Sequence, residues 1–147
     1  MKGEMKRMFS FDNDSWAITL HQGDTGSKWI GAARESGAEW TENDRCLFTV
    51  RNASGEIVMQ RFYRLDDQWD QGDGWFLMEF KNADTDQLPT GTYNTEWRFD
   101  VSPVWHGTPP TSRCANALTE SAYMTDGSIV RTTIQSTMTI LGVLGEV

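Results

Sequence analysis

Cysteine is almost missing from this sequence. The 147-residue chain holds two, Cys46 and Cys114, and their separation fits neither a zinc pattern nor a CxxC redox pair. Of the two remaining readings, a single disulfide or two buried free thiols, the free thiols are the expectation, which suits a reducing interior. Histidine is equally scarce, with His21 and His106 far apart. There is no HExxH, no GxSxG and no Gly-rich phosphate loop, so metalloprotease, serine-hydrolase and nucleotide-binding readings have no motif to stand on. No enzymatic activity, cofactor or metal is expected. Positive charge is in deficit too. Lys and Arg number 13 against 21 Asp and Glu, for a net charge of −8 and a pI near 4.6. Nucleic-acid binding through phosphate contacts needs the opposite balance. No apolar run reaches the ~18 residues of a membrane helix, and the opening MKGEMKRMFSFDNDSW has no apolar stretch of the kind a secretory signal carries. No membrane insertion is expected.

What is present is β-pattern. The stretch Asp44–Tyr63 holds two short apolar runs, Cys46–Val50 and Ile57–Tyr63, around the polar connector Arg51-Asn52-Ala53-Ser54-Gly55-Glu56. Gly55 can take the φ > 0 position that a short hairpin loop needs. Period two places Cys46, Phe48 and Val50 on one face, and Ile57, Met59 and Arg61 opposite Val58, Gln60 and Phe62. A lone hairpin is marginal in water, so this one must pack against further strands.

Along the chain, 1–14 are charged and aperiodic, and read as a flexible lead-in or an arm that orders on a neighbouring subunit. Residues 15–147 read as a single domain. Trp16, Ile18 and Leu20 alternate into a turn at Gly23, Asp24 and Gly26, and Ser27–Ala33 is a second strand. Residues 65–74 form an acidic loop. Of its four aspartates, Asp67, Asp70 and Asp73 fall every third residue, which does not make the calcium ladder of an EF-hand. Gly74–Phe80 returns to strand, 82–90 is a turn region, and Thr92–Val101 alternates most cleanly, with Tyr93, Thr95, Trp97, Phe99 and Val101 on one face. Residues 102–127 break the pattern in a long irregular excursion, with one or two helical turns expected within Arg113–Ser121. Ile129–Leu141 is a terminal strand. The fold class expected is an all-β antiparallel sandwich of about seven or eight strands. Its predicted core is Phe48, Val50, Phe76, Met78, Tyr93, Trp97, Phe99, Ile134 and Ile140.

Candidate functional residues are few. Seven tryptophans are the unusual feature of the composition. Trp69 and Trp105 stand in polar or irregular stretches, where an aromatic side chain can anchor a partner. Trp105, His106 and Tyr123 all lie in the long excursion, a loop length that is usually functional. These three and Trp69 are the partner-binding candidates; the competing account folds the loop tryptophans back over the ends of the sandwich. Gly23, Asp24 and Gly26 are assigned a structural turn.

Three segments carry a family resemblance: Ile18-Thr19-Leu20-His21-Gln22-Gly23-Asp24-Thr25-Gly26, Asp44-Arg45-Cys46-Leu47-Phe48-Thr49-Val50, and Leu88-Pro89-Thr90-Gly91-Thr92-Tyr93. Together they resemble the small immunoglobulin-like domains of phage and prophage tail proteins, such as the N-terminal domain of baseplate upper proteins. The resemblance implies an immunoglobulin-like sandwich without enzymatic activity. It implies residence in the virion after synthesis in the bacterial cytoplasm. Partners would be other tail or baseplate proteins, or further copies of the chain. The sequence departs from that family in the 102–127 excursion. The alternative is a carbohydrate-binding sandwich that stacks sugars on exposed Trp69, Trp75 or Trp105.

Overall fold

The computed structural model describes residues 9–23, 25–31, 45–65, 67–69, 72–101, 105–106, 114–116, 123–124 and 129–142. The strands in chain order are β1 (Ser10–Phe11), β2 (Ile18–His21), β3 (Gly26–Gly31), β4 (Arg45–Arg51), β5 (Ile57–Arg64), β6 (Asp67–Trp69) and β7 (Gly72–Phe80). After the helical turn α1 (Asn82–Thr85) come β8 (Gly91–Val101), β9 (Trp105–His106), β10 (Cys114–Asn116), β11 (Tyr123–Met124) and β12 (Ile129–Leu141). They form a seven-stranded sheet in the order β1-β2-β12-β8-β4-β5-β10, a three-stranded sheet β3-β7-β6, and a separate ribbon of β9 and β11.

The all-β, sandwich-like class is therefore observed, with more strands than expected. One pairing is also not antiparallel: β2 runs parallel to β12, with Ile18 beside Met138 and Leu20 beside Ile140. A parallel neighbour cannot be reached by a tight hairpin. Here the whole of the intervening chain makes the crossover.

The central hairpin forms as read. β4 and β5 pair antiparallel, with Phe48 opposite Arg61 and Val50 opposite Met59. Its loop is closed by Asn52, whose side-chain Oδ1 accepts the N–H groups of Ser54 and Glu56, both at 3.0 Å. Gly55 sits at φ 85° with nothing near its Cα substituent position, so glycine is required there by backbone conformation and not by space. β8 then pairs with β4 on one side and β12 on the other.

The core lies between the two main sheets. Phe48, Trp97 and Phe99 project from the large sheet, Phe76, Met78 and Phe80 from the small one, and all six are buried. Tyr63 meets Phe76 at 5.1 Å between ring centroids, and Phe48 meets Trp97 at 4.7 Å. Each such side chain contributes about 1.5–3 kcal/mol by leaving water, and each ring pair about 0.5–1.5 kcal/mol more. Of the predicted core, Ile134 is the exception: it is half-buried and packs against the cluster from its margin.

Several expectations are corrected. The lead-in gives way at Phe9, which is buried and makes an edge-on contact of 4.9 Å with Phe80; residues 1–8 lie outside the described residues. Trp16 does not continue the alternation of Ile18 and Leu20. It occupies a left-handed position, φ 64°, at the end of a turn in which Asp12 Oδ1 accepts the N–H groups of Asp14 and Ser15. That conformation costs a bulky residue about 1–2 kcal/mol. It turns the indole inward onto Trp97 at 5.3 Å and Phe99 at 5.8 Å, where ring contacts offset the strain. The second strand is observed over Gly26–Gly31; positions 32 and 33, to which it was expected to run, lie outside the described residues. The acidic loop is a strand pair instead, with Trp69 opposite Gly72. Within the segment Arg113–Ser121, where a helical turn is expected, Cys114–Asn116 form strand β10 and the other residues lie outside the described ones; a helical turn forms at Asn82–Thr85.

Cys46 and Cys114 both align with Tyr63, from opposite sides of β5. Two strand steps of about 5 Å each put their Cα atoms roughly 10 Å apart, beyond disulfide reach. Cys46 is buried and forms no disulfide.

Candidate functional site

The long excursion is not uniformly irregular, and its strands gather the aromatic candidates. β9 and β11 pair antiparallel, with His106 opposite Tyr123 and Trp105 opposite Met124. Three of the four partner-binding candidates thus share one short ribbon, which brings Tyr123 beside the adjacent pair Trp105 and His106 from well along the chain. A two-stranded ribbon of this length cannot hold itself together, so the strands on either side must present it. The fourth, Trp69, lies elsewhere, in β6 at the edge of the small sheet. Between the two halves of the ribbon, β10 continues the large sheet beyond β5. It satisfies backbone groups that an open edge would expose.

The turn after β2 is tied to the far side of the domain. Gly23 and Gly26 hold positive φ, 81° and 143°; Asp24 lies outside the described residues. The Gly23 N–H donates to Oγ1 of the fully buried Thr85 at 3.0 Å. Gln22 Nε2 donates to the Leu88 carbonyl at 2.7 Å, and the Gln22 N–H donates to the Leu141 carbonyl at 3.0 Å. Two of the three segments quoted for the family resemblance are therefore hydrogen-bonded to each other. A few residues later, Tyr93 sends its hydroxyl back to the Pro89 carbonyl at 2.6 Å. Burial pushes that phenol's pKa above its ordinary value.

Arg61 is the one arginine on the core face of β5. Its Nη2 lies 2.8 Å from Asp84 Oδ2. Its Nη1 donates to the Glu79 carbonyl at 2.6 Å and to Tyr63 Oη at 3.3 Å. The guanidinium also stands 5.3 Å from the centre of the Phe80 ring. A cation engaged on this many sides ties α1 and the end of β7 to the large sheet, and is not an open anion site.

The outer face of the large sheet carries a feature with no counterpart in the sequence pattern. A cleft of about 300 Å³ opens there, and every residue lining it is polar. Thr49, Glu96 and Gln135 align across β4, β8 and β12, and Arg51 and Asn94 align in the next row. Period two predicts that each of these faces water. It does not say which strands become neighbours, so nothing in the sequence points to the group.

No cluster of three His, Cys, Asp or Glu able to hold a metal occurs among the described residues. Comparison with protein-family models, curated proteins and solved structures finds no match to this chain.

Proposed function

We propose that this protein is a structural or attachment component of a phage or prophage tail, without enzymatic activity, built on an immunoglobulin-like sandwich and acting through protein–protein contacts. The strand order carries the reading. In an immunoglobulin variable-type sandwich, strands C′, C, F and G are neighbours in one sheet, and B, E and D in the other. The order β5-β4-β8-β12 agrees with the first, and β3-β7-β6 with the second. The Tyr93-to-Pro89 hydrogen bond at the start of β8 has the form of a tyrosine corner, a feature of strand F in that fold. Both features support the family that the three sequence segments resemble.

On this assignment the excursion joins strands F and G. In variable domains that connection is one of the partner-binding loops at one end of the sandwich. The ribbon of Trp105, His106 and Tyr123 stands in that position, on a rigid scaffold. Association through it, with tail proteins or with further copies of the chain, is the function these features support best.

Antibody labelling of purified phage particles that encode the chain tests the proposal. Gold label on the tail in negative-stain micrographs is the expected result. A particle preparation that lacks the protein, made from cells that express it, would overturn it.

A further inference from the structure

We infer that the outer face of the large sheet carries a binding site for a neutral saccharide, separate from the excursion and independent of the tail assignment. The site is the polar cleft over β4, β8 and β12. Its side chains form a grid: Thr49, Glu96 and Gln135 in one row, Arg51 and Asn94 in the next. Neighbouring strands are about 4.8 Å apart, and same-face residues along a strand about 6.8 Å apart. The grid therefore covers an area about the size of one sugar ring.

The chemistry of the grid selects the ligand. Arg51 and Glu96 contribute opposite charges, so the lining is neutral in sum and favours neither an anion nor a cation. They occupy diagonal positions across β4 and β8 and form no ion pair with each other, so the space between them is not bridged. Asn94, Glu96 and Gln135 make no side-chain hydrogen bond among the described residues. Two carboxamides and a carboxylate are thereby left to a ligand or to water. Thr49 already accepts a bond from Gln60 Nε2 at 3.0 Å, which leaves its hydroxyl proton to donate. Arg51 is steadied by its bond to the Gly55 carbonyl at 3.0 Å.

An apolar ligand finds no apolar residue here. A zwitterion would use Arg51 and Glu96 and leave the amides idle. Sugar hydroxyls both donate and accept, and can engage the accessible Arg51, Asn94, Glu96 and Gln135 together, above the buried Thr49. No tryptophan lines the cleft, so affinity rests on hydrogen bonds and should be weak, with a Kd on the order of 1 mM.

Saturation-transfer difference NMR on the full chain tests this, using methyl glucoside, methyl galactoside and N-acetylglucosamine, with glycine as the zwitterion control. At least one sugar should show transfer. Asn94→Ala and Gln135→Ala should each weaken it about five- to tenfold, with far-UV circular dichroism unchanged. Both positions are exposed, so the variants should fold. Absence of transfer from all three sugars overturns the inference. So does transfer that survives the Asn94→Ala/Gln135→Ala double variant, which would place the sugar elsewhere. Glycine binding that depends on Arg51 and Glu96 alone overturns it in favour of a zwitterion site. None of these outcomes bears on the presence of the protein in phage tails.

Discussion

Arg61 and Asp84 form an ion pair of 2.8 Å that joins the core face of β5 to the helical turn α1. The same carboxylate oxygen accepts the Lys81 N–H at 2.6 Å, so one group both closes its own turn and neutralises a buried cation. Removing the acid leaves the guanidinium buried without its counter-ion. Asp84→Ala should cost about 2–3 kcal/mol in urea melts, below the full-burial range because Asp84 is partly exposed. Arg61→Met, which removes the charge along with its partner's role, should cost less. The reverse ranking would show that the pair is not what holds α1.

Trp97 is the largest fully buried side chain among the described residues, stacked obliquely on Phe48 at 4.7 Å. Trp97→Ala should destabilise by about 3–5 kcal/mol. A loss under about 1 kcal/mol in denaturant titration would mean that the two sheets do not meet at this residue.

The Asp12 carboxylate is held below its ordinary pKa of 3.8, first by the Ser15 N–H and then by the Asp14 N–H. A depressed folded-state pKa contributes stability that is present above the unfolded pKa and is lost as pH falls through the folded one. The stability difference between the wild type and Asp12→Asn should therefore be constant above about pH 5 and shrink below 3.8. Melts at a series of acid pH values measure it. A difference that does not change with pH would show that the turn does not depend on the charge.

Tyr93 is the alkaline counterpart. Burial raises its phenol pKa above 10.0, so its contribution is complete below that value and is lost as pH rises through the raised one. Tyr93→Phe should cost about 1 kcal/mol at neutral pH by removing the bond to Pro89. It should also flatten the alkaline limb of the stability profile. Ultraviolet titration of the phenolates follows the same group directly.

If the ribbon of β9 and β11 binds a partner, Trp105→Ala should leave the thermal midpoint nearly unchanged. It should weaken self-association or partner binding by about 2 kcal/mol or more. Light scattering across a concentration series reads the first, calorimetry the second. A large drop in midpoint with unaltered association would make the excursion a lid over the sandwich.

The alternation of β8 was sufficient to determine which of its residues from Tyr93 to Phe99 are buried; the side chains of positions 100 and 101 lie outside the described ones. Tyr93, Thr95, Trp97 and Phe99 are in the core, while Asn94 is exposed and Glu96 and Arg98 are half-buried. Side-chain direction in a strand is set by the backbone's own period of two, and one apolar face must leave water. The β4–β5 hairpin was legible for a similar reason, since its loop carries the glycine and asparagine that close it. Pairings between distant segments were not legible. The parallel β2–β12 contact, the row of Thr49, Glu96 and Gln135, and the meeting of His106 with Tyr123 are all of this kind. The inward turn of Trp16, at a backbone angle its side chain disfavours, is another. A strand's local pattern states which face it must bury but not which strand it will lie beside. That choice is made when the sheets close on a shared core, where the gain from packing outweighs loop closure and local strain.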